Sequence, residues 1–157
     1  METLDMAEQT IATVLKSRTT PVVTCRADDT IQLVIGILHH HKIGALPVID
    51  GDGRLVGVIS ERDVIRALAE GKGDVRTRKV SELMTRDVAT CTRATAVKDA
   101  ARLMDNRHIR HLPVMEGGRV VDMVSLRDVV SLRLSEAELE TDVLRDYARS
   151  IVGVSAN

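Results

Sequence analysis

The 157-residue chain is 44% hydrophobic and 29% charged, the balance of a folded globular protein and not of a disordered or fibrous one. Twenty-two Lys and Arg against twenty-three Asp and Glu leave a formal charge of −1, which excludes a broad electrostatic attraction to nucleic acid or to an anionic membrane. Tyr147 is the single aromatic residue. Base-stacking platforms are therefore excluded, and a flat ligand has to lie between aliphatic side chains.

Taken in chain order, the segment Met1 to Lys16 carries Glu2, Asp5 and Glu8 and no continuous apolar stretch, so neither a secretory signal nor a membrane span is expected, and the location expected is cytoplasmic. Ile11 to Ser17 reads as a short helical lead-in. Cys25 and Cys91 read as small apolar thiols of a reducing compartment.

From there the chain repeats itself. At an offset of 66 residues, Val22 to Cys25 lies on Val88 to Cys91 and Leu46 to Asp50 on Leu112 to Glu116. After a one-residue deletion the offset is 65, and Gly53 to Ile65 lies on Gly118 to Val130. A unit of about 60 residues buries its surface poorly alone, so the duplication predicts two copies packed into one pseudo-symmetric domain.

Each copy carries the same signals. Ile31, Val34, Ile35 and Leu38 have the spacing of an amphipathic helix, repeated by Val97, Ala100, Ala101 and Met104, with Asp29 and Thr95 as expected N-caps. A hairpin follows, Ile43 to Ile49 with Leu55 to Ile59 in copy one and Ile109 to Met115 with Val120 to Val124 in copy two. Pro47 and Pro113 place the first hairpin strand at an edge or at a position whose N–H is not needed. A second helix starts after Ser60, with Val64, Ile65 and Leu68 on one face, and after Ser125, with Val129, Val130 and Leu132. Beyond the repeat, Leu139, Val143, Leu144, Tyr147 and Ile151 have helical spacing, and their apolar stripe needs either the second lead-in or another subunit. The reading is thus an α+β protein: a lead-in over residues 1–18, repeats over 19–69 and 87–134, a linker and second lead-in over 70–86, and a helical tail over 135–157.

Two patterns carry chemistry. Ser60-Glu61-Arg62-Asp63 and Ser125-Leu126-Arg127-Asp128 stand where a strand meets a helix. Both have the form of a capping box, and both fit a nucleotide, with an anion at the helix amides and ribose hydroxyls on the carboxylate. Copying a cap and copying a site leave the same trace, so the two readings stay open here. Arg107 to His111 places positive groups on both sides of the second hairpin if strand alternation holds. This suits either a solvated charged edge or a phosphate clamp. Copy one has Ile43-Gly44-Ala45 at the matching place, so the two copies are not equivalent. His39-His40-His41 point about 100° apart along a helix and suit its C-terminal end better than a metal ion. No nucleophile with a partner base, no phosphate-binding Gly-rich loop and no CxxC stands in the sequence, so no enzyme and no catalytic or metal residue is expected.

The order of elements, the Leu-Pro-Val hairpins and Gly57-Val58-Ile59-Ser60-Glu61-Arg62-Asp63 resemble the CBS domain. The two copies resemble a tandem CBS pair, or Bateman module, of the small stand-alone bacterial kind. The resemblance implies that Asp63 and Asp128 bind ribose. It implies that Ser60, Ser125, Arg110, His111, Arg62 and Arg127 serve the phosphates. It also implies that adenine slots between Val22, Val23, Thr24 and Val58 in one cleft and between Val88, Ala89, Thr90 and Met123 in the other. Gly57 becomes Asp122 in copy two, a departure that bears on that cleft. The function so implied is sensing of AMP, ADP, ATP or NAD(H), with no catalytic cofactor. The state would pass through a homodimer to an effector protein, with no membrane contact. The alternatives are a ligand-independent interaction module and, more remotely, a nucleic-acid regulator working through Lys72, Arg76, Arg78 and Lys79.

Overall fold

The computed structural model describes residues 8–154; the first seven residues of the expected lead-in and the last three of the tail lie outside the described residues. In chain order the elements are α1 (Ile11–Leu15), β1 (Cys25–Arg26), α2 (Ile31–His41), β2 (Ala45–Ile49), β3 (Leu55–Ser60), α3 (Glu61–Glu70), a 3-10 turn (Val75–Thr77), α4 (Val80–Leu83), α5 (Val97–Arg107), β4 (His111–Glu116), β5 (Arg119–Ser125) and α6 (Leu126–Val154). The mixed helix and strand content is what the repeat predicts, and the β-α-β-β-α order is complete in repeat one, with the first strand of repeat two reduced to a single bridge.

In repeat one, β1 runs parallel to β2 and β2 antiparallel to β3. In repeat two, β4 pairs with β5, and Cys91 alone bridges in parallel to Val114. Both hairpins carry an irregularity at the same repeat position, between Val48 and Ile49 and between Val114 and Met115. The Pro-bearing strand β2 is therefore central, not an edge. In repeat two the Pro113 carbonyl accepts from the Cys91 amide, so its amide position faces the residues before Cys91, where the short first strand has not yet begun. That is the second of the two placements proline allows.

Several local expectations are corrected. The helix caps fall one residue later, at Thr30 and Ala96. Asp29 and Thr95 instead close the preceding turns, accepting from the amides of Arg26 and Thr92. On α3 the buried side chains are Asp63, Val64 and Ala67, whereas Ile65 and Leu68 are 65% and 60% exposed. Residues one apart on a helix turn about 100° from each other, so Ile65 cannot share the core face of Val64. Val129 is likewise buried and Val130 exposed. The second helix of repeat two and the tail are one continuous helix, α6, because no Gly or Pro interrupts Leu126 to Val152. Leu139, Val143, Leu144 and Tyr147 on it are exposed, so the second lead-in does not cover them.

Two apolar cores form, one per repeat, and the lead-ins are exchanged between them. Ile11 and Leu15 of α1, which precedes repeat one, belong to the core of repeat two with Val97, Met104, Leu112, Val114 and Val124. Val75, Val80 and Met84, which precede repeat two, belong to the core of repeat one with Ile31, Leu46, Val48 and Ile59. Backbone bonds fix the exchange: the Ile11 and Ala12 amides donate to the carbonyls of Thr95 and Arg93, and the Val80 and Ser81 amides donate to those of Asp29 and Ala27. Between lead-in and strand the chain must therefore cross from one repeat to the other, over residues 16–24 and again over 85–90. Val22 to Thr24 and Val88 to Thr90 lie in these crossings and not in paired strand.

Cys25 and Cys91 are both buried, and desolvation pushes their thiols up to about 12 and about 11 respectively, which keeps them protonated and inert. Among the described residues no helix is long and apolar enough to cross a membrane.

Ile11 sits in a five-residue helix near the chain start, yet it is fully buried in the distant repeat. Ile11→Ala is expected to cost about 2–5 kcal/mol in urea unfolding, the range of a core truncation and not of a frayed end.

Candidate functional site

The β3–α3 junction supplies the first wall. Ser60 is the N-cap of α3, its hydroxyl accepting from the Asp63 amide at 3.4 Å, while Asp63 Oδ2 accepts from the Ser60 amide at 2.9 Å and from the Ser60 hydroxyl at 3.0 Å. The cap is real, and it holds a carboxylate that is only 6% exposed. Asp63 Oδ1 is 3.5 Å from Arg66 Nη1. The same geometry recurs at β5–α6, where Asp128 Oδ2 accepts from the Ser125 amide at 2.8 Å and the Ser125 hydroxyl accepts from the Asp128 amide at 3.2 Å.

The crossing segment supplies the opposite wall. Val58 and Thr85 exchange two backbone hydrogen bonds of 2.9 Å, which pins the crossing directly on β3. This approach is possible because residue 57 is glycine: a Cβ there would stand 2.7 Å from Met84 Sδ and 2.9 Å from the Thr85 carbonyl oxygen. Val88 and Ala89 then face Val58 across a cavity of about 410 Å³ that Ser60, Glu61, Arg62, Asp63, Arg66, Asp87, Arg107, His108, Ile109, Arg110 and His111 also line. The partner of Val58 is thus Val88-Ala89, not Val22 to Thr24, because the exchanged lead-ins send each crossing segment to the opposite repeat.

Strand alternation does not apply to Arg110. It precedes β4 in a bend, and Ile109, Arg110 and His111 all line the same cavity. His108 makes the turn, as a left-handed C-cap with φ of 54° whose amide donates to the Asp105 and Met104 carbonyls. Asp87 pairs with Arg107 at 3.3 Å. Arg62 and Arg110 have no carboxylate partner among the described residues. With Asp63 and Asp87 already paired, these two cations outnumber Glu61, and the cavity is left with a net positive charge.

In repeat two the corresponding site is built differently. Asp122 stands where repeat one has Gly57, and at the offset of 66 Arg18 stands where repeat one has Met84. Arg18 Nη1 is 3.2 Å from Asp122 Oδ1 and Nη2 is 2.6 Å from Asp128 Oδ2. The Met123 amide donates to Asp122 Oδ1 at 2.7 Å, where its counterpart Val58 bonds to the crossing backbone. Of the expected site residues, Ser60, Arg62, Asp63, Val58, Val88, Ala89, Arg110 and His111 come together in one cavity; Val22, Val23, Thr24, Thr90, Met123, Ser125, Arg127 and Asp128 do not join it. Sequence reasoning missed Arg66, Asp87 and Arg18. Arg107 stood in the basic run singled out, whereas Arg18 shows only when the repeat is extended four residues upstream.

Comparison with known proteins gives a consistent result. The family model described as CBS domain matches residues 13–70 and 80–135. CBS domain-containing protein CBSX3, mitochondrial, of Arabidopsis thaliana is 32% identical over 155 residues, covering 94% of this chain and 75% of that protein. Inosine-5'-monophosphate dehydrogenase of Methanocaldococcus jannaschii is 32% identical over 113 residues, which is 71% of this chain and 22% of the enzyme's length, so the likeness is confined to a minor part of that enzyme. Among solved structures, a CBS-domain containing protein of Agrobacterium tumefaciens superposes with a TM-score of 0.76 at 34% identity, covering 85% of this chain and 98% of that one. The CBS domain pair of protein MJ0100, in complex with 5'-methylthioadenosine and S-adenosyl-L-methionine, has a TM-score of 0.74 at 30% identity, covering 82% and 98%. CBSX2 in complex with AMP has a TM-score of 0.66 at 25% identity, covering 80% and 97%.

His111 carries the clearest pH signature of the cavity. Burial lowers its pKa and Arg110 adds to this, against Glu61 and Asp128, which pull it up. The folded state thus favours the neutral ring, and its contribution to stability is present above the ordinary His range and lost as pH falls. Thermal melts from about pH 7.5 to about pH 5.5 are expected to show His111→Gln losing less stability on acidification than the unsubstituted chain.

Proposed function

Because the chain belongs to the CBS-domain family and carries the domain twice, we propose that it is a regulatory module that binds a phosphorylated adenosine compound, AMP, ADP, ATP or NAD(H), in the cavity between its repeats. The observation that carries this reading is the placement of the buried Asp63 carboxylate, already oriented by its cap, between an aliphatic slot and a cluster of unpaired cations. The slot of Val58, Val88 and Ala89 takes the adenine by van der Waals contact. Asp63 accepts from the ribose hydroxyls, and Ser60 holds it in place. Arg62, Arg110 and His111, with Arg107 beside them, meet the phosphate. A net positive cavity favours a phosphate over the sulfonium of S-adenosylmethionine, although one related pair carries that ligand.

The signalling step follows from which repeat owns which contact. Asp63, Ser60 and Arg62 belong to repeat one, and Val88, Ala89, Arg110 and His111 to repeat two, so one ligand crosslinks both and selects the arrangement in which they meet. At a ligand concentration of 100 times Kd the selected state gains about 2.7 kcal/mol. The output surface we assign to the exposed apolar side chains of α3 and α6, Ile65, Leu68, Val130, Leu134, Leu139, Val143 and Leu144, which suit a homodimer and through it an effector protein. That same face would serve an interaction module that needs no ligand. A nucleic-acid role has less support, since Arg76 is paired with Asp74 and Arg78 with Glu82.

A melting screen against AMP, ADP, ATP, NAD(H) and S-adenosylmethionine, followed by titration calorimetry, tests the reading. At least one phosphorylated adenosine compound is expected to raise Tm, and Asp63→Asn to weaken it by about 10-fold to 100-fold, as loss of a charged hydrogen-bond acceptor does. Absence of a shift with every compound would leave the ligand-free interaction module standing.

A further inference from the structure

Resting on the nucleotide reading of the open cavity, we propose that Arg18 is the built-in occupant of the second cleft, so that the chain binds one nucleotide and not two. Three observations converge on it. Arg18 reaches across the fold to two carboxylates at once, Asp122 at 3.2 Å and Asp128 at 2.6 Å. Asp128 is the repeat equivalent of Asp63, the carboxylate assigned to ribose in the open cavity, so the guanidinium is seated on the carboxylate a second ligand would need, at the oxygen, Oδ2, that also accepts the Ser125 amide.

The two residues that make this contact are also a matched exchange. In repeat one the pair is Gly57 with Met84, an absent side chain filled by an apolar one; in repeat two it is Asp122 with Arg18. Asp122 is 8% exposed, and a carboxylate so buried needs a cation. Its own Oδ1 has taken the Met123 amide, the group that in repeat one pins the crossing backbone. The close backbone approach of repeat one is thus replaced by a side-chain bridge, and Arg18 fastens residues 16–24 to repeat two.

The third observation concerns charge. The positions equivalent to Arg107, Arg110 and His111 are His41, Gly44 and Ala45. A phosphate in the second cleft would therefore meet Arg127, the counterpart of Arg62, but none of the groups of the basic run, and that single contact would not offset displacement of Arg18.

Titration calorimetry with AMP and with adenosine decides this. Arg18→Met alone leaves Asp122 buried without a cation and can fail to fold, so the variant to use is Arg18→Met/Asp122→Gly, which imports the pair of repeat one. The unsubstituted chain is expected to bind one AMP, weakened about 10-fold to 100-fold in Asp63→Asn. The double variant is expected to bind two adenosine-containing ligands, the second roughly tenfold weaker for want of phosphate contacts and removed by adding Asp128→Asn. Two sites in the unsubstituted chain, or one site in a folded double variant, overturn the role of Arg18 while leaving the nucleotide reading intact. No binding by either protein overturns both.

Discussion

The exchange of lead-in helices is the constraint from which the rest of the architecture follows. Ile11 and Leu15 complete the core of the repeat they do not precede, and Val75, Val80 and Met84 do the same in return. Removing either lead-in would open a cavity in the opposite core, so neither repeat is a closed unit and the two cannot unfold independently without exposing apolar surface. The exchange also forces the chain to cross between repeats twice. Each crossing passes over the end of a hairpin where a helix begins, the place where free amides and a capping carboxylate already stand. A composite cleft, with walls from both repeats, is the geometric consequence of where Ile11 and Val80 are buried.

Pseudo-symmetry at the level of backbone does not extend to chemistry. A single missing Cβ at Gly57 lets the crossing lie on β3 through two backbone hydrogen bonds. Asp at the equivalent position makes that approach impossible, and a carboxylate brought so close to the interior requires both a donor and a cation, supplied by the Met123 amide and Arg18. One substitution thus redefines a cleft: the partner of the crossing changes from backbone to side chain, and the ribose-type acid Asp128 acquires an internal counter-ion. The basic run Arg107 to His111, present in one copy only, pushes the difference the same way.

Much of the fold was legible because the duplication supplies an internal control. A helix spacing or a Leu-Pro-Val strand that recurs at a fixed offset is read twice over, and the order strand, helix, strand, strand, helix is complete in repeat one, while in repeat two the first strand is reduced to the bridge of Cys91. What escaped was set by contacts distant in sequence. The exchange of lead-ins leaves no local trace, so Val58 was matched with Val22 to Thr24, whereas it is bonded to Thr85 and shares its cavity with Val88 and Ala89. The exposure of Ile65, Leu68 and Val130 reflects how α3 and α6 are rotated against the hairpins, which helical spacing alone does not fix. The continuity of α6 was hidden because the repeat ends inside it, and a boundary of homology is not a boundary of secondary structure. At the candidate site, the acids and the basic run could be named from sequence, but their gathering into one cavity depended on the crossing.

The cap and the candidate site use one residue, and the two uses reinforce each other. An isolated buried carboxylate would be costly to keep ionised and costly to orient. In the capping box two donors converge on Asp63 Oδ2, which fixes the plane of the group and leaves Oδ1 with only the largely exposed Arg66 near it at 3.5 Å. Ribose hydroxyls arriving at Oδ1 would therefore meet an acceptor whose rotamer is already set, and binding would not have to supply the ordering free energy. The same reasoning separates the two copies. Asp128 accepts its cap amide in the same way, but that same oxygen, Oδ2, also carries at 2.6 Å a guanidinium belonging to the chain itself. What differs is the second donor on that oxygen: the Ser60 hydroxyl on Asp63, and on Asp128 the guanidinium of Arg18, which brings a cation onto the carboxylate before any ligand arrives.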